Sequence, residues 1–345
     1  MDLADLWARV PGYLNTASHG LPPRPVVDAT THAIRDWQHG SLAWDTWDGA
    51  VRNARATFAR LVRVDAADVS VGATTSELLG HVADSVPSGS RILVAEEEFT
   101  SNLFPWLAQA DRGVQVDVVP LARLAESVDA RTGLVAFSLV QSASGEVSPA
   151  EEIRQAARKH GALVAVDAAQ ACGWLPIDAR DFDVLVCHSY KWLMAPRGAA
   201  FLVTTSAVRE RMRPSAAGWY AGDGDAMYGP PLRLSPDARA FDTSPAWFSW
   251  IGTAAALEVV ERLGVEAIHD HDVALANRLR EGLGMPPGDS PIVSLPDPAA
   301  AERLERAGLT IGVRAGRARL SFHLYSTEQD VDAALDALAG TAGPA

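Results

Sequence analysis

A lysine follows a short apolar run near the middle of the chain, where Val184–Cys187 leads into His188-Ser189-Tyr190-Lys191. Such a run is typical of a buried strand, and open α/β sheets bind ligands beyond the carboxyl ends of their strands. Burial lowers the pKa of an amine and frees the neutral nucleophile that attacks carbonyl compounds. We therefore predict a catalytic role for Lys191. The alternative is an exposed lysine, which fits the chain's only other lysine, Lys159.

A carboxylate occupies the equivalent place one strand earlier. Asp167 ends the apolar run Leu163–Asp167, and one strand–helix step separates it from Lys191. Both side chains are thus expected at one sheet edge. An amine and an acid on one ligand suit pyridoxal phosphate (PLP), because the lysine binds its aldehyde and the acid keeps its pyridine nitrogen protonated. The alternative for Asp167 is a helix cap.

Two further segments could complete a PLP site. Ala73-Thr74-Thr75 ends a strand and opens a helix, where free N–H groups and two hydroxyls can hold a phosphate. Phe99 follows the next strand and could stack on a pyridine ring. The alternatives are an ordinary helix start and a core phenylalanine.

The elements that would position these residues alternate along the chain. Seven short apolar runs predict strands at Val69–Ala73, Arg91–Ala95, Val116–Val119, Leu134–Val140, Ala162–Val166, Val184–Cys187 and Ala200–Val203. Helical patterns cover Val26–Trp37, Trp44–Val62, Ser76–Ser85, Ser101–Ala110 and Ala150–His160. This alternation predicts an α/β fold with a mostly parallel seven-stranded sheet covered by helices.

The C-terminal part predicts a small α+β domain after a connector rich in Gly, Pro and Asp at 213–240. A long helical pattern runs over Ile251–Leu283 with a break at Gly264. Strands at Ile292–Leu295, Leu309–Val313 and Arg317–Phe322 and a helix at Glu328–Ala339 follow. We predict an N-terminal segment near the active site at 1–20, a large domain at 21–245 and a small domain at 246–345.

Composition excludes several other classes. The chain has 345 residues, 48% hydrophobic and 21% charged, which is typical of a two-domain enzyme. Its net charge of −13 argues against nucleic acid, and no apolar run reaches the roughly 18 residues that span a membrane. The first ten residues lack the pattern of a signal peptide. Two cysteines, Cys172 and Cys187, make neither a disulfide framework nor a metal site, so we expect a cytoplasmic protein without metal.

The chain resembles class V aminotransferases, the branch of PLP fold type I that includes cysteine desulfurases, kynureninases and isopenicillin-epimerase-like proteins. The resemblance extends over nearly the whole chain and is most specific at Val166–Gln170, Ser189–Trp192 and Arg319–Thr327. It implies a PLP fold type I enzyme that acts on an amino acid and works as a homodimer with shared active sites. A nucleotide-binding protein would instead need a Gly-rich fingerprint, which Gly72–Thr75 is not.

The resemblance also implies roles around the cofactor. Lys191 would be the Schiff-base lysine and Asp167 the partner of the pyridine nitrogen. Gln170 would bond the ring 3-oxygen, Ala169 would pack under the ring, and Phe99 matches the residue that stacks on it. The positions that match phosphate ligands are Ala73, Thr74, Thr75, His188 and Tyr190.

Substrate and partner contacts follow in the same way. Arg319 matches the arginine that holds the substrate α-carboxylate, a task suited to its planar fork. His19 and Asn15 would contact substrate from the N-terminal segment. Phe241–Pro245 resembles a turn through which one subunit reaches the phosphate of the other, so Ser244 would cross the interface. Other aromatic and histidine residues lie in or beside segments that line the cleft in relatives, namely Trp44, Trp47, Trp219, Tyr220, Trp247 and His323.

Two departures from the family pattern affect the reaction. Gln141-Ser142 stands where many relatives have Asn, and its contact stays open. No cysteine lies in Val313–Arg319, where desulfurases that carry a persulfide have a mobile cysteine loop. We therefore expect Cβ–S elimination without a catalytic cysteine. Transamination, racemisation, kynureninase-type cleavage and a PLP-fold binding protein without turnover remain alternatives.

Overall fold

Seven strands form the central sheet of the computed structural model, which describes residues 5–41, 44–224 and 226–340. They are β1 (Val69–Gly72), β2 (Arg91–Ala95), β3 (Gln115–Val119), β4 (Thr132–Ser138), β5 (Leu163–Asp167), β6 (Val184–His188) and β7 (Ala200–Thr204). Their order is β1-β7-β6-β5-β4-β2-β3. Only β7 runs against its neighbours, so the other six strands end at one edge. This confirms the predicted mostly parallel sheet.

Helices cover both faces of this sheet. They are α1 (Arg24–Gln38), α2 (Trp44–Leu61), α3 (Thr75–Ala83), α4 (Thr100–Leu107), α5 (Ala150–His160), α6 (Ser206–Arg209), α7 (Trp247–Leu263) and α8 (Val265–Gly282). Side chains of α2, α5 and α7 pack on one face, and those of α3 and α4 pack on the other. Strand β5 shows why: Val164 and Val166 enter the first layer and Ala165 the second, since successive side chains alternate. A strand buried on both faces is therefore continuously apolar.

A second, antiparallel sheet forms the C-terminal unit. Its strands β8 (Ile292–Leu295), β9 (Gly312–Arg314) and β10 (Arg317–Ser321) are ordered β8-β10-β9. The helices α8, α9 (Ala300–Arg306) and α10 (Glu328–Ala339) supply apolar side chains to its core. The N-terminal segment joins this unit, because Tyr13 pairs with Thr310 and Asn15 with Ser321.

The C-terminal unit differs most from prediction in two places. The strand expected at Leu309–Val313 begins only at Gly312, because Thr310 pairs with the N-terminal segment outside any strand. The short helix α9 carried no predicted pattern. The long helical pattern does break at Gly264, which has a φ of +83°.

The predicted boundary between the large and small domains stays a prediction. Helix α7 packs on α1 and α2, and its Trp250 contacts Phe201 of the central sheet with ring centroids 5.2 Å apart. Helix α7 therefore packs with α1, α2 and the central sheet. None of the helices described is long and apolar enough to cross a membrane.

Candidate active site

A cavity of about 390 Å³ opens at the sheet edge where the six strands end. Its walls come from the segments after β1, β2, β4, β5 and β6 and from the residues just before β7. Every predicted cofactor residue except Ser244 lines it. Chain segments far apart in sequence thus converge there, as expected for an open α/β sheet.

Lys191 and Asp167 face this cavity from neighbouring strand ends. They are 8% and 6% exposed. Burial lowers the pKa of Lys191 to about 8, while Asp167 raises it and Arg319 lowers it further. Burial also raises the pKa of Asp167 to about 6, although its carboxylate accepts a 2.7 Å hydrogen bond from the Ala169 N–H. The arrangement is an amine that loses its proton more readily than an ordinary lysine, beside an acid that holds a proton more readily than an ordinary aspartate.

Two glycines let other segments close around the lysine loop. The Gly20 N–H donates to the Tyr190 carbonyl at 2.9 Å, and a Cβ on Gly20 would lie 2.0 Å from the Lys191 carbonyl oxygen. Gly173 has a φ of +108°, and its Cβ would lie 2.6 Å from the Trp192 oxygen. The backbone carrying the lysine is therefore fixed from both sides.

His323 also holds this loop rather than lining the cavity. It is fully buried, with Nε2 3.0 Å from the Trp192 carbonyl oxygen and Nδ1 2.6 Å from the Asp272 carboxylate. Because both ring nitrogens of His323 already have partners, neither is free to bind a substrate.

Two helix N-termini point at the cavity. Thr74 caps α3, accepting a hydrogen bond from the Glu77 N–H at 3.2 Å, and Phe99 precedes the first residue of α4. The Thr75 hydroxyl is buried without a partner. Helix N-termini carry partial positive charge and free N–H groups, so this wall favours an anion. The Ala73 N–H, however, already donates to the Glu77 carboxylate at 2.9 Å.

Tyr190 anchors a stack of aromatic and cationic groups. His188 stacks on its ring with centroids 3.9 Å apart, and His19 lies 5.6 Å away. The Arg197 guanidinium carbon lies 4.2 Å from the same centroid. Burial and the nearby Lys191 hold the pKa of His188 well below its usual value, and its Nδ1 has no partner. Arg197 was not predicted from the sequence, because nothing in its segment marks it as a site residue.

Arg319 is fully buried and has no acidic partner among the described residues. Its guanidinium donates to the carbonyl oxygen of Ser142 and, at 2.8 Å, to the Ser18 hydroxyl, while Nε is unpaired. Burial, with Arg314 nearby, lowers its pKa to about 10. A buried cation without an acid costs free energy unless an anion is supplied. The group best suited to supply it is a substrate carboxylate.

Asn15 lies beside this guanidinium. Its Oδ1 is buried and unpaired, and a Cβ built on Gly312 would lie 2.9 Å from that oxygen and 3.3 Å from Arg319 Nη2. The absent side chain at Gly312 therefore leaves the space between the two predicted substrate contacts open.

The Gln170 amide already makes three hydrogen bonds within the protein, which was not predicted. Its Nε2 donates to the Ala17 carbonyl at 3.0 Å and to the Ser142 hydroxyl at 3.1 Å, and its Oε1 accepts from Trp192 Nε1 at 2.8 Å. A bond to a ring oxygen would have to replace one of these. Ser142 thus links Gln170 to Arg319, which gives the contacts of one residue of the Gln141-Ser142 pair.

Glu98 contacts the other residue of this pair, Gln141, and was not predicted from the sequence. It is buried and accepts hydrogen bonds from the Ser138 N–H at 2.6 Å, from Gln141 Nε2 at 2.8 Å and from Asn102 Nδ2 at 2.8 Å. Its charge also contributes to the raised pKa of Asp167. The available signal was a carboxylate three residues after a buried strand.

Known proteins are similar to this chain in both sequence and fold. The sequence matches the family described as aminotransferase class-V over residues 13–303. The chain belongs to the class-V aminotransferase family. It is 27% identical to the uncharacterized aminotransferase YcbU of Bacillus subtilis, over 91% of each chain. It is 28% identical to isopenicillin N epimerase of Streptomyces clavuligerus, over 96% of this chain and 94% of that one.

Solved structures confirm PLP fold type I for this class-V family member. The cystine C–S lyase C-DES, in complex with cysteine persulfide, superposes with a TM-score of 0.87 at 22% identity, covering 95% of this chain and 97% of that one. The cysteine desulfurase CsdA of Escherichia coli gives 0.81 at 22% identity, covering 96% and 94%. A C-DES variant carries glycine linked to its PLP cofactor. These relatives are enzymes, and the PLP prediction agrees with them.

Three further predicted residues of this class-V protein lie away from the cavity. Ser244 is exposed, in the turn whose Thr243 N–H donates to the Val71 carbonyl at 3.2 Å. Cys172 and Cys187 are buried, and burial with the adjacent Cys172 raises the pKa of Cys187 well above its usual value. The described residues include no His, Cys, Asp and Glu cluster that could hold a metal.

Proposed function

We propose that this class-V family member is a PLP-dependent Cβ–S lyase acting on a cysteine-type amino acid without a persulfide-carrying cysteine. The observation that carries the proposal is Arg319, a buried guanidinium without an acid, beside a cavity lined by Lys191 and Asp167. An amino acid supplies the missing carboxylate and an amine that can meet the cofactor.

The residues present fit PLP. The cavity volume is suited to a small cofactor and substrate. Thr75 Oγ1 and His188 Nδ1 are buried polar atoms without a hydrogen-bond partner, which a bound phosphate could supply. Lys191 would hold the aldehyde carbon, and Asp167 would share a proton with the pyridine nitrogen. Bound in this way, PLP draws electrons from the substrate Cα and so makes its proton removable.

The chain's own side chains would then divide the work. Arg319 binds the α-carboxylate and fixes the Cα–H bond toward the Lys191 amine, which takes the Cα proton. The Cβ–S bond breaks, the sulfur leaves as a thiol with a proton, and water converts the remainder to pyruvate and ammonia. The low pKa of Lys191 suits this base near neutral pH.

The cysteines support elimination without a protein persulfide. A thiol that accepts sulfur must be accessible and of low pKa, whereas Cys172 and Cys187 are 4% and 1% exposed and neither lines the cavity. The Cys172→Ser, Cys187→Ser double variant is therefore expected to keep most of its activity. A persulfide detected by mass spectrometry on either cysteine during turnover would contradict this proposal.

The test is anaerobic incubation with cysteine conjugates, measuring thiol, pyruvate and ammonia together. Lys191→Ala should abolish release and the adduct trapped by borohydride, and Lys159→Ala, the chain's only other lysine, is the matched control. Amino transfer to a keto acid without C–S cleavage would favour the aminotransferase alternative, to which the similarity with YcbU points.

We also propose that the active form is a homodimer. Ser244 is exposed and does not line the cavity of its own subunit, and large aromatic side chains are exposed on the surface, including Trp44 at 47% and Trp219 at 38%. Trp44, Trp219 and Trp247 border one aromatic cavity of about 360 Å³. Contiguous exposed apolar surface of this kind is typical of an interface between subunits.

A further inference from the structure

Arg197 is a cavity residue without an assigned role. It lies in the loop between Lys191 and β7, and the Ser249 hydroxyl donates to its carbonyl oxygen at 2.6 Å, which fixes the backbone. Its guanidinium lies against the Tyr190 ring, where a flat cation is favoured. Among the described residues it has no carboxylate partner and no hydrogen-bond acceptor.

This absence contrasts with several other arginines of the large domain. In a protein of net charge −13, Arg55, Arg91 and Arg209 each pair with a carboxylate inside the large domain. Arg197 instead lines a cavity without an ion-pair partner among the described residues. Burial is the main cause of the lowered pKa of His19 and His188, and the Arg197 charge lowers both further. A positive charge that disfavours nearby imidazolium ions also favours an anion.

The charged groups on the cavity wall indicate which anion Arg197 would bind. Among the described residues that line the cavity, Lys191 and Arg197 carry the only cationic side chains. Lys191 is reserved for the aldehyde carbon, and Arg319 lies behind Ser142 outside the lining. A phosphate monoester brings about two negative charges near neutral pH. Each helix N-terminus offers about half a positive charge, and at α3 the Glu77 carboxylate opposes it.

We propose that Arg197 is the counter-ion of the cofactor phosphate, held against the Tyr190 ring so that its fork faces the α3 N-terminus. The inference rests on the proposed function only in taking PLP as the cofactor. It adds one full positive charge to a phosphate site otherwise built from hydroxyls, N–H groups and neutral rings. The guanidinium suits this task because it binds a phosphate with two parallel hydrogen bonds.

The test compares two cofactors on the apoprotein. PLP and pyridoxal, which lacks the phosphate, are titrated by absorbance into the wild type, Arg197→Gln and Arg197→Lys. We expect Arg197→Gln to weaken PLP binding roughly 10- to 100-fold, as for a lost hydrogen bond to a charged group, and to leave pyridoxal unchanged. Arg197→Lys should recover part of the loss. Arg158→Gln, at the exposed end of α5, is the control and should change neither affinity.

Three outcomes would overturn the inference. Equal loss of PLP and pyridoxal would mean that Arg197 only supports the lysine loop. Unchanged PLP binding with a raised KM for amino acids with anionic side chains, but not neutral ones, would assign Arg197 to the substrate. A wild type that binds no PLP would remove both this inference and the cofactor. A wild type that binds PLP but cleaves no C–S bond would remove only the proposed reaction.

Discussion

Arg319 makes the clearest prediction for a single residue. Arg319→Ala should raise the KM for the amino-acid substrate by the equivalent of about 2–5 kcal/mol, because a desolvated charge pair is lost. Arg319→Lys should rescue little, since a point charge cannot reproduce the fork. Arg317→Ala, exposed two residues earlier on β10, is the control. Unaltered KM in Arg319→Ala would remove this residue from the site, whereas PLP affinity should hardly change.

Lys191 predicts a pH dependence. Its pKa is lowered to about 8, so the amine becomes neutral as the pH rises through that value. The rate at which the apoprotein binds pyridoxal, which avoids titration of a phosphate, should therefore rise between pH 7 and about 9 and then level off. A rate that keeps rising toward pH 10.5, the ordinary lysine value, would show that the amine is not desolvated.

What the sequence could predict about single residues depends on their position relative to a strand. Asp167 ends an apolar run, and Lys191 and Phe99 each come four residues after one, so the sheet edge could be inferred for all three. Ser18 and Arg197 matter only because the fold brings their segments to the cavity, and no local pattern records that. The partners of Gln170 could not be predicted either, since hydrogen bonds follow side-chain geometry.

Among the elements, the lysine loop offers a test of close packing. Gly20→Ala should lower the free energy of unfolding by roughly 1–3 kcal/mol and slow cofactor uptake, because its Cβ would overlap the Lys191 carbonyl. Gly80→Ala in α3 is the control: no atom lies within 4 Å of the new Cβ, so it should raise stability by about 0.5–1 kcal/mol. Thermal unfolding of both variants checks this, and a neutral Gly20→Ala would refute the fixed loop.

Helices and strands could be predicted where a local sequence pattern alone determined them. Continuous apolar runs predicted the sheet, and Gly264 predicted the break between α7 and α8. Strand β9 begins later than its apolar pattern because the distant Tyr13 takes the pairing of Thr310. Likewise, the packing of α7 on α1 and α2 is a tertiary outcome that its own sequence does not record.

For the whole molecule, the dimer predicts complementation between two defective subunits. Lys191→Ala and Ser244→Asp subunits should each be inactive, since the second places a carboxylate against a phosphate. A heterodimer would contain one site with a native lysine and a native partner turn. Random mixing should thus restore about a quarter of wild-type activity. Inactivity of the mixture, or full activity of a monomer in sedimentation experiments, would rule out shared sites.

The two lysines also make the protein easy to attach in a known orientation. Lys159 is exposed at the end of α5, just before β5 begins, whereas Asp167 ends β5 at the cavity, so the strand separates the two by about 15 Å. Lys191 is buried and shielded once its cofactor is bound. Apart from the amino terminus, an amine-reactive dye or resin would therefore couple through Lys159 alone, leaving the catalytic edge free.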